Sequence, residues 1–182
     1  MLDIKDADFK LIKTNLTLDD FLIIRDNADW KNETVTMNGY KVQLRRMTAW
    51  YGKTYTYTGI TNTPKDIPNF LVPMFKLVEE NCGIAFNSVL LNRYKNGEDA
   101  IGWHSDNEKS LGVNPYIASL SLGQTRTFLL RHKFSNSEHK IELNHGDLFL
   151  MGNNSQILYE HSIPKEKHCK GERINLTFRN II

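Results

Sequence analysis

The chain has 182 residues, 40% of them hydrophobic and 24% charged, with a formal net charge of +2. That length suits one domain with a single sizeable core, and the charge is too small to argue by itself for a nucleic-acid partner. A start without a basic-then-apolar leader, no run long enough for a membrane helix, and two cysteines (Cys82 and Cys169) without disulfide or metal-ligand spacing predict a soluble intracellular protein with no membrane association.

In chain order, Thr17 ahead of Leu18-Asp19-Asp20-Phe21-Leu22-Ile23-Ile24 reads as the N-cap of a short helix with acids in its first turn. Residues 34–63 contain no acid. Lys41, Arg45, Arg46 and Lys53 are interleaved there with Tyr40, Trp50, Tyr51, Tyr55 and Tyr57. On residue type alone this is an ordinary two-stranded ribbon whose aromatics belong to a core; the other reading is a surface that meets phosphates and bases. A second helix is expected from about Pro68 to Asn81, striped by Phe70, Leu71, Met74, Phe75, Leu77 and Val78. Pro73 offers an alternative start and Cys82-Gly83 the end.

From Phe86 onward the period changes to short strands. Val89 to Tyr94, Ile101 to His104, Ile117 to Leu122 and Thr127 to Arg131 are expected, followed by Lys140 to Leu143, Leu148 to Met151, Leu158 to Ile163 and Arg173 to Phe178. Asn96-Gly97, His145-Gly146-Asp147 and Gly152-Asn153-Asn154 punctuate them. Helices followed by about eight such strands predict an α+β chain with a mainly antiparallel jelly roll or barrel-like sandwich.

Chemistry concentrates on a few positions. With Ile101 to His104 as a strand, alternation would project His104 and Asp106 to the same side, and His161 on a facing strand would complete two imidazoles and one carboxylate. That ligand set, with open positions, is typical of non-haem Fe(II) oxygenases. By itself His-x-Asp is a weak pattern, and His132, His139, His145 and His168 show that histidines occur here without one. In the last strand, alternation puts Arg173, Asn175, Thr177 and Arg179 on one face and Ile174, Leu176 and Phe178 on the other. The polar face is either solvent-exposed or the lining of a barrel, where buried guanidiniums need anionic partners such as a dicarboxylate. Asn92 and Tyr94, also two apart, offer an amide and a phenol beside it.

Together Asn92-Arg93-Tyr94, His104-x-Asp106, His161 and Arg173-x5-Arg179 resemble the AlkB family of Fe(II)/2-oxoglutarate-dependent dioxygenases. The runs Phe86 to Tyr94, Ile117 to Gly123 and Thr48-Ala49-Trp50-Tyr51-Gly52 are similar to its eukaryotic DNA-repair homologues. The resemblance covers roughly Met47 to the C-terminus. It implies a double-stranded β-helix core over about 86–182, N-terminal helices packed outside, and a nucleotide-recognition lid over about 34–63, all in one domain of residues 1–182. It implies Fe(II) on His104, Asp106 and His161, and 2-oxoglutarate on Arg173 and Tyr94 at its distal carboxylate. Asn92, Asn175, Thr177 and Arg179 would lie nearer the iron-chelating end. The implied activity uses O2 and demethylates N-alkylated bases in DNA or RNA, releasing formaldehyde, succinate and CO2. Tyr57 would stack on the flipped base opposite His104, with Tyr55 and Arg46 holding the nucleotide.

Two departures bear on substrate. Asn107-Glu108 stands where close homologues carry Asp-Glu, which removes one negative group that would favour a cationic methylated base and leaves Glu108 to compensate. Met37-Asn38-Gly39-Tyr40 is more polar than the apolar finger of duplex-repair homologues, which leans the reading towards single strands. Monomer is the default state. Lys165 to Lys170, with His168-Cys169, reads as a solvated basic loop, a phosphate contact being the minor option. Two other functions compete: a 2-oxoglutarate oxygenase acting on a protein or small molecule, and a catalytically silent nucleic-acid binder.

Overall fold

A computed structural model describes residue 4 and residues 6–182 apart from 38 and 58; within it the side chains of 36, 37 and 57 are not described. The elements run β1 (Phe9–Lys13), α1 (Leu18–Asn27), β2 (Lys31–Met37), β3 (Tyr40–Tyr51), β4 (Tyr55–Tyr57), β5 (Ile60–Asn62) and α2 (Val72–Cys82). Next come β6 (Ser88–Tyr94), β7 (Ile101–His104), β8 (Ile117–Gly123), β9 (Arg126–His132), β10 (Glu138–Leu143) and β11 (Asp147–Met151). The short α3 (Ser155–Leu158), β12 (Tyr159–Ile163) and β13 (Arg173–Arg179) complete the chain.

Seven strands form the larger sheet in the order β1-β11-β8-β13-β6-β3-β2, and four form the smaller in the order β10-β9-β12-β7. The pairings are antiparallel. This is the expected α+β jelly roll, and each strand expected after Phe86 is present within a residue or two, except that Leu158 closes α3 instead of opening β12. Strand β1 falls in a stretch that had offered little. Its residues Phe9 and Leu11 are separated by Lys10, too short an alternation to distinguish a strand without knowledge of β11, with which it pairs from Phe9↔Met151 to Lys13↔Asp147.

The two helices start and stop for local reasons. Asp20 accepts from the Thr17 backbone N–H at 2.7 Å and from the Thr17 hydroxyl at 2.9 Å, closing the first turn of α1. Helix α2 begins at Val72 with Pro73 in its first turn, where the missing N–H costs nothing, so the later of the two expected starts holds. Gly83 ends it at φ 68°, donating to the Glu79 carbonyl.

Two apolar layers result. Phe21 and Ile24 of α1 and Met74, Phe75 and Val78 of α2 pack on one face of the larger sheet against Leu91, Leu120, Leu122, Ile174, Leu176 and Phe178. Leu90, Tyr94, Ile117 and Phe149 from the other face meet Phe128, Leu130, Ile141, Leu143 and Ile163 of the smaller sheet. Strand β13 is therefore buried on both faces. Its polar side looks between the sheets, which decides the open question in favour of a barrel lining.

Candidate active site

The smaller sheet sets two histidines face to face. His104 on β7 and His161 on β12 are direct cross-strand partners, with ring centroids 4.3 Å apart. Nδ1 of His104 lies 2.8 Å from the Gly102 carbonyl, which can only accept, so Nδ1 carries a proton and Nε2 is the nitrogen placed to ligate. His161 stacks on Phe128 with centroids 5.2 Å apart and planes 16° off parallel. Burial, reinforced by His104, pushes its pKa down to about 3, so its imidazole is neutral and able to ligate.

Asp106 reaches the histidines by a different route from strand alternation. Strand β7 ends at His104, so Asp106 sits on the loop beyond it. The Ser105 hydroxyl donates to the Tyr159 carbonyl at 2.8 Å and the Asp106 N–H donates to Gln156 Oε1 at 2.8 Å, fixing that loop. Arg179 Nη2 donates to Asp106 Oδ1 at 2.7 Å, while Oδ2 lies 4.0 Å from His161 Nε2. Burial works to raise the Asp106 pKa; Arg179, His161 and His104 outweigh it and hold the pKa at about 2. One carboxylate oxygen is thus anchored and the other turns toward the imidazoles. Two imidazoles and an anchored carboxylate fit a ferrous ion.

The polar face of β13 forms the adjoining wall. Arg173, 1% exposed, donates from Nη2 to Ser121 Oγ at 2.9 Å, while its Nε and Nη1 have no hydrogen-bond partner among the described residues. Its guanidinium lies 5.3 Å from the Tyr94 ring centroid and that of Arg126 lies 5.6 Å from the same ring. Burial pulls the Arg173 pKa down to about 10, with Arg126 adding to the effect and Tyr94 opposing it. A buried guanidinium with two unused donors calls for a carboxylate. Asn175 donates to Ser119 Oγ at 2.7 Å, Thr177 donates to Asn175 Oδ1 at 2.8 Å, and Arg46 Nε donates to Asn92 Oδ1 at 2.8 Å. Arg179 lies 5.3 Å from the centroid of Tyr55 and its Nε is also unpartnered.

One cavity of about 780 Å³ brings these groups together. Arg46, Tyr55, Asn92, Tyr94, His104, Asp106, Asn107, Glu108, His161, Arg173, Asn175, Thr177 and Arg179 all contribute to its lining. The side chain of Tyr57 lies outside the described set, as do Asn38 and the side chain of Met37 in the finger segment. Glu108 contributes a buried, unpartnered Oε2. The aromatic-basic segment divides: Trp50, Tyr51 and Tyr55 are buried, with Trp50 and Tyr55 stacked at 4.9 Å, while Tyr40, Lys41 and Arg45 face outward. Lys53 is engaged at 2.9 Å with the Ile181 carbonyl.

Several contributors were not singled out from the sequence. Ser119 and Ser121 alternate with Ala118, Leu120 and Leu122 on β8, and that period could have found them. Gln156 and Phe128 position Asp106 and His161 from the one-turn helix α3 and from strand β9, contexts that carry no such signal.

Residues 10–179 match the family described as the 2OG-Fe(II) oxygenase superfamily. The human alpha-ketoglutarate-dependent dioxygenase alkB homolog 3 is 39% identical, over 99% of this chain and 63% of its own length. Mouse DNA oxidative demethylase ALKBH2 is 40% identical, over 72% of this chain and 58% of its own. The chain thus spans about three fifths of the length of these curated relatives. The structure of OsALKBH1 superposes with a TM-score of 0.65 at 21% identity, covering 98% of this chain and 100% of that one, which shows the shared fold. With a match that runs from β1 to the end of β13, the chain belongs to the 2OG-Fe(II) oxygenase superfamily.

Proposed function

We propose that this domain oxidatively demethylates N-alkylated bases of the 1-methyladenine and 3-methylcytosine type in DNA, RNA or both. It uses Fe(II), O2 and 2-oxoglutarate, and releases formaldehyde, succinate and CO2. The observation that carries the reading is a single cavity lined by facing His104 and His161, by Asp106, and by a buried Arg173 with two unused N–H donors. The relatives add direction: one is a dioxygenase by name and another a DNA oxidative demethylase.

His104, Asp106 and His161 would hold the ferrous ion, which when bound supplies the oxidising chemistry. Arg173 would take the distal carboxylate of 2-oxoglutarate in a bidentate pair, with Tyr94 alongside. Asn92, Asn175, Thr177 and Arg179 would line the path toward the iron. Arg179 has a further task, since its hydrogen bond keeps Asp106 ionised and oriented.

A base within a duplex cannot enter such a cavity unless it is flipped, and an unpaired base needs no flipping, so single strands are preferred in this reading. Residues 34–63 act as the recognition lid over a core of residues 86–182 within one domain of residues 1–182, and the domain works as a monomer in the cell interior. Outward Tyr40, Lys41 and Arg45 offer a stacking face and phosphate contacts. Arg46, Tyr55, Tyr57 and Asn107 hold the nucleotide. Glu108, with its unpartnered oxygen in the cavity, supplies the negative charge that Asn107 lacks and suits a cationic base. A second reading, oxidation of a protein or small-molecule substrate, gains from the burial of Trp50, Tyr51 and Tyr55, which removes three rings from the lid surface.

Purified protein incubated with iron, ascorbate and 2-oxoglutarate should release formaldehyde from methylated oligonucleotides, most from single strands. Succinate formation with formaldehyde from none of single-stranded DNA, duplex DNA or RNA would favour the second reading instead.

A further inference from the structure

Glu166, His168 and Cys169 lie on the connection between β12 and β13 and line a recess separate from the cavity described above. One potential ligand atom from each lies within 4.8 Å of the others. We propose that these side chains form a second metal site, suited to zinc.

Residue spacing does not reveal it, because two cysteines far apart lack the pairing of a zinc motif. The fold supplies what spacing does not. The three residues share a recess of about 180 Å³ with Thr127 and Glu142, so there is room for an ion and a second carboxylate beside it. The turn is held in place: Gly97 N–H donates to the Cys169 carbonyl, Glu166 N–H to the Gly97 carbonyl, and Cys169 N–H to the Glu166 carbonyl, each at 2.8 Å.

Glu166 is oriented before any ion arrives. Its Oε2 accepts from Arg126 Nε at 2.9 Å and from the Thr127 N–H at 3.0 Å, while Oε1 accepts only the Thr127 hydroxyl at 2.8 Å. Oε1 keeps a lone pair for a metal, and the surrounding bonds are of the kind that orient metal-bound carboxylates. Cys169 is buried and its Sγ donates only a long hydrogen bond, to the Thr125 carbonyl at 3.9 Å, among the described residues. On binding, the thiol loses its proton to solvent and the sulfur–metal bond replaces the S–H bond. The positive charge of Arg126 opposes an incoming cation; the new thiolate together with Glu166 and Glu142 offsets it.

Tetrahedral zinc with bonds of about 2.0–2.3 Å brings its ligand atoms to within about 3.5 Å of one another. Closing the cluster therefore takes roughly an ångström of movement, which exposed His168 can make by rotating its side chain. Thiolate plus imidazole selects zinc over iron, in contrast to the nitrogen and oxygen donors of His104, Asp106 and His161. The two sites would accordingly be loaded with different metals.

The test uses the full chain stripped with a chelator and titrated with Co(II), then with Zn(II) followed by metal analysis after gel filtration. A near-ultraviolet thiolate-to-cobalt charge-transfer band is expected in the parent, in Cys82→Ser and in His104→Ala, and is lost in Cys169→Ser. His168→Ala, an exposed position that leaves folding unaffected, should weaken zinc binding at this site at least about tenfold. No thiolate band in the parent, or undiminished zinc binding in both Cys169→Ser and His168→Ala, would overturn the proposal. Neither readout depends on which substrate the enzyme oxidises.

Discussion

Arg179 ties the two parts of the cavity together, because the same guanidinium that lines the wall of β13 donates to Asp106 at 2.7 Å. Both groups are buried, at 4% exposure each, so removing one leaves the other as an uncompensated charge. The two obvious ligand substitutions should therefore differ. His104→Ala abolishes turnover and leaves the melting temperature nearly unchanged, since His104 is half-buried and its only hydrogen bond among the described residues is to the nearby Gly102 carbonyl. Asp106→Ala abolishes turnover and also destabilises the metal-free fold by about 3 kcal/mol, measured by denaturant unfolding. Arg173→Ala should raise the 2-oxoglutarate concentration needed for half-maximal rate by about tenfold or more at little cost to kcat, since it deletes a charge-assisted pair. Glu166 gives a pH-dependent counterpart. Burial pushes its pKa up, but the Thr127 bonds and Arg126 outweigh burial and leave it below the usual glutamate value. A carboxylate depressed in the folded state contributes stability above its unfolded pKa and loses it as pH falls through the folded one. Glu166→Gln should thus lower the melting temperature of metal-free protein at neutral pH, and the gap should narrow below about pH 4.

At the scale of elements, β13 was the most legible stretch and β7 the most misleading. Alternation in Arg173–Arg179 separates two faces whatever surrounds them, and burial on both faces then makes the polar one an interior wall. The same rule applied to His104 and Asp106 reached the right neighbourhood for the wrong reason. The strand stops at His104, and the acid is carried by a loop pinned from Gln156 and Tyr159, fifty or more positions away in sequence. No local pattern encodes such a contact. Strand β1 and the cluster of Glu166, His168 and Cys169 were hidden for the same reason, since each acquires meaning only from a remote partner. The connection that carries the cluster is tightly constrained at Gly97, where an added Cβ would fall 1.7 Å from the Glu166 carbonyl oxygen. Gly97→Ala should accordingly cost about 2 kcal/mol of stability by denaturant unfolding, despite changing a loop residue.

Across the whole molecule, the arrangement separates stability from chemistry by layer. Helices α1 and α2 seal one face of the larger sheet with apolar side chains. The opposite face contributes Asn92, Tyr94, Arg173, Asn175, Thr177 and Arg179 to a chamber that the smaller sheet closes with His104 and His161. Buried charge of that density is tolerated because each group is answered by another or waits for a ligand, as the free donors of Arg173 do. Among the described residues, no helix is long and apolar enough to cross a membrane. One chamber should bind a metal through His104, Asp106 and His161 and an oxo-acid through Arg173. Anaerobic calorimetry of 2-oxoglutarate binding, with and without Fe(II), tests it most directly. Tight binding that requires iron in the parent, disappears in His161→Ala and weakens about tenfold or more in Arg173→Ala is the predicted result; equal binding by all three proteins, with or without iron, would contradict it.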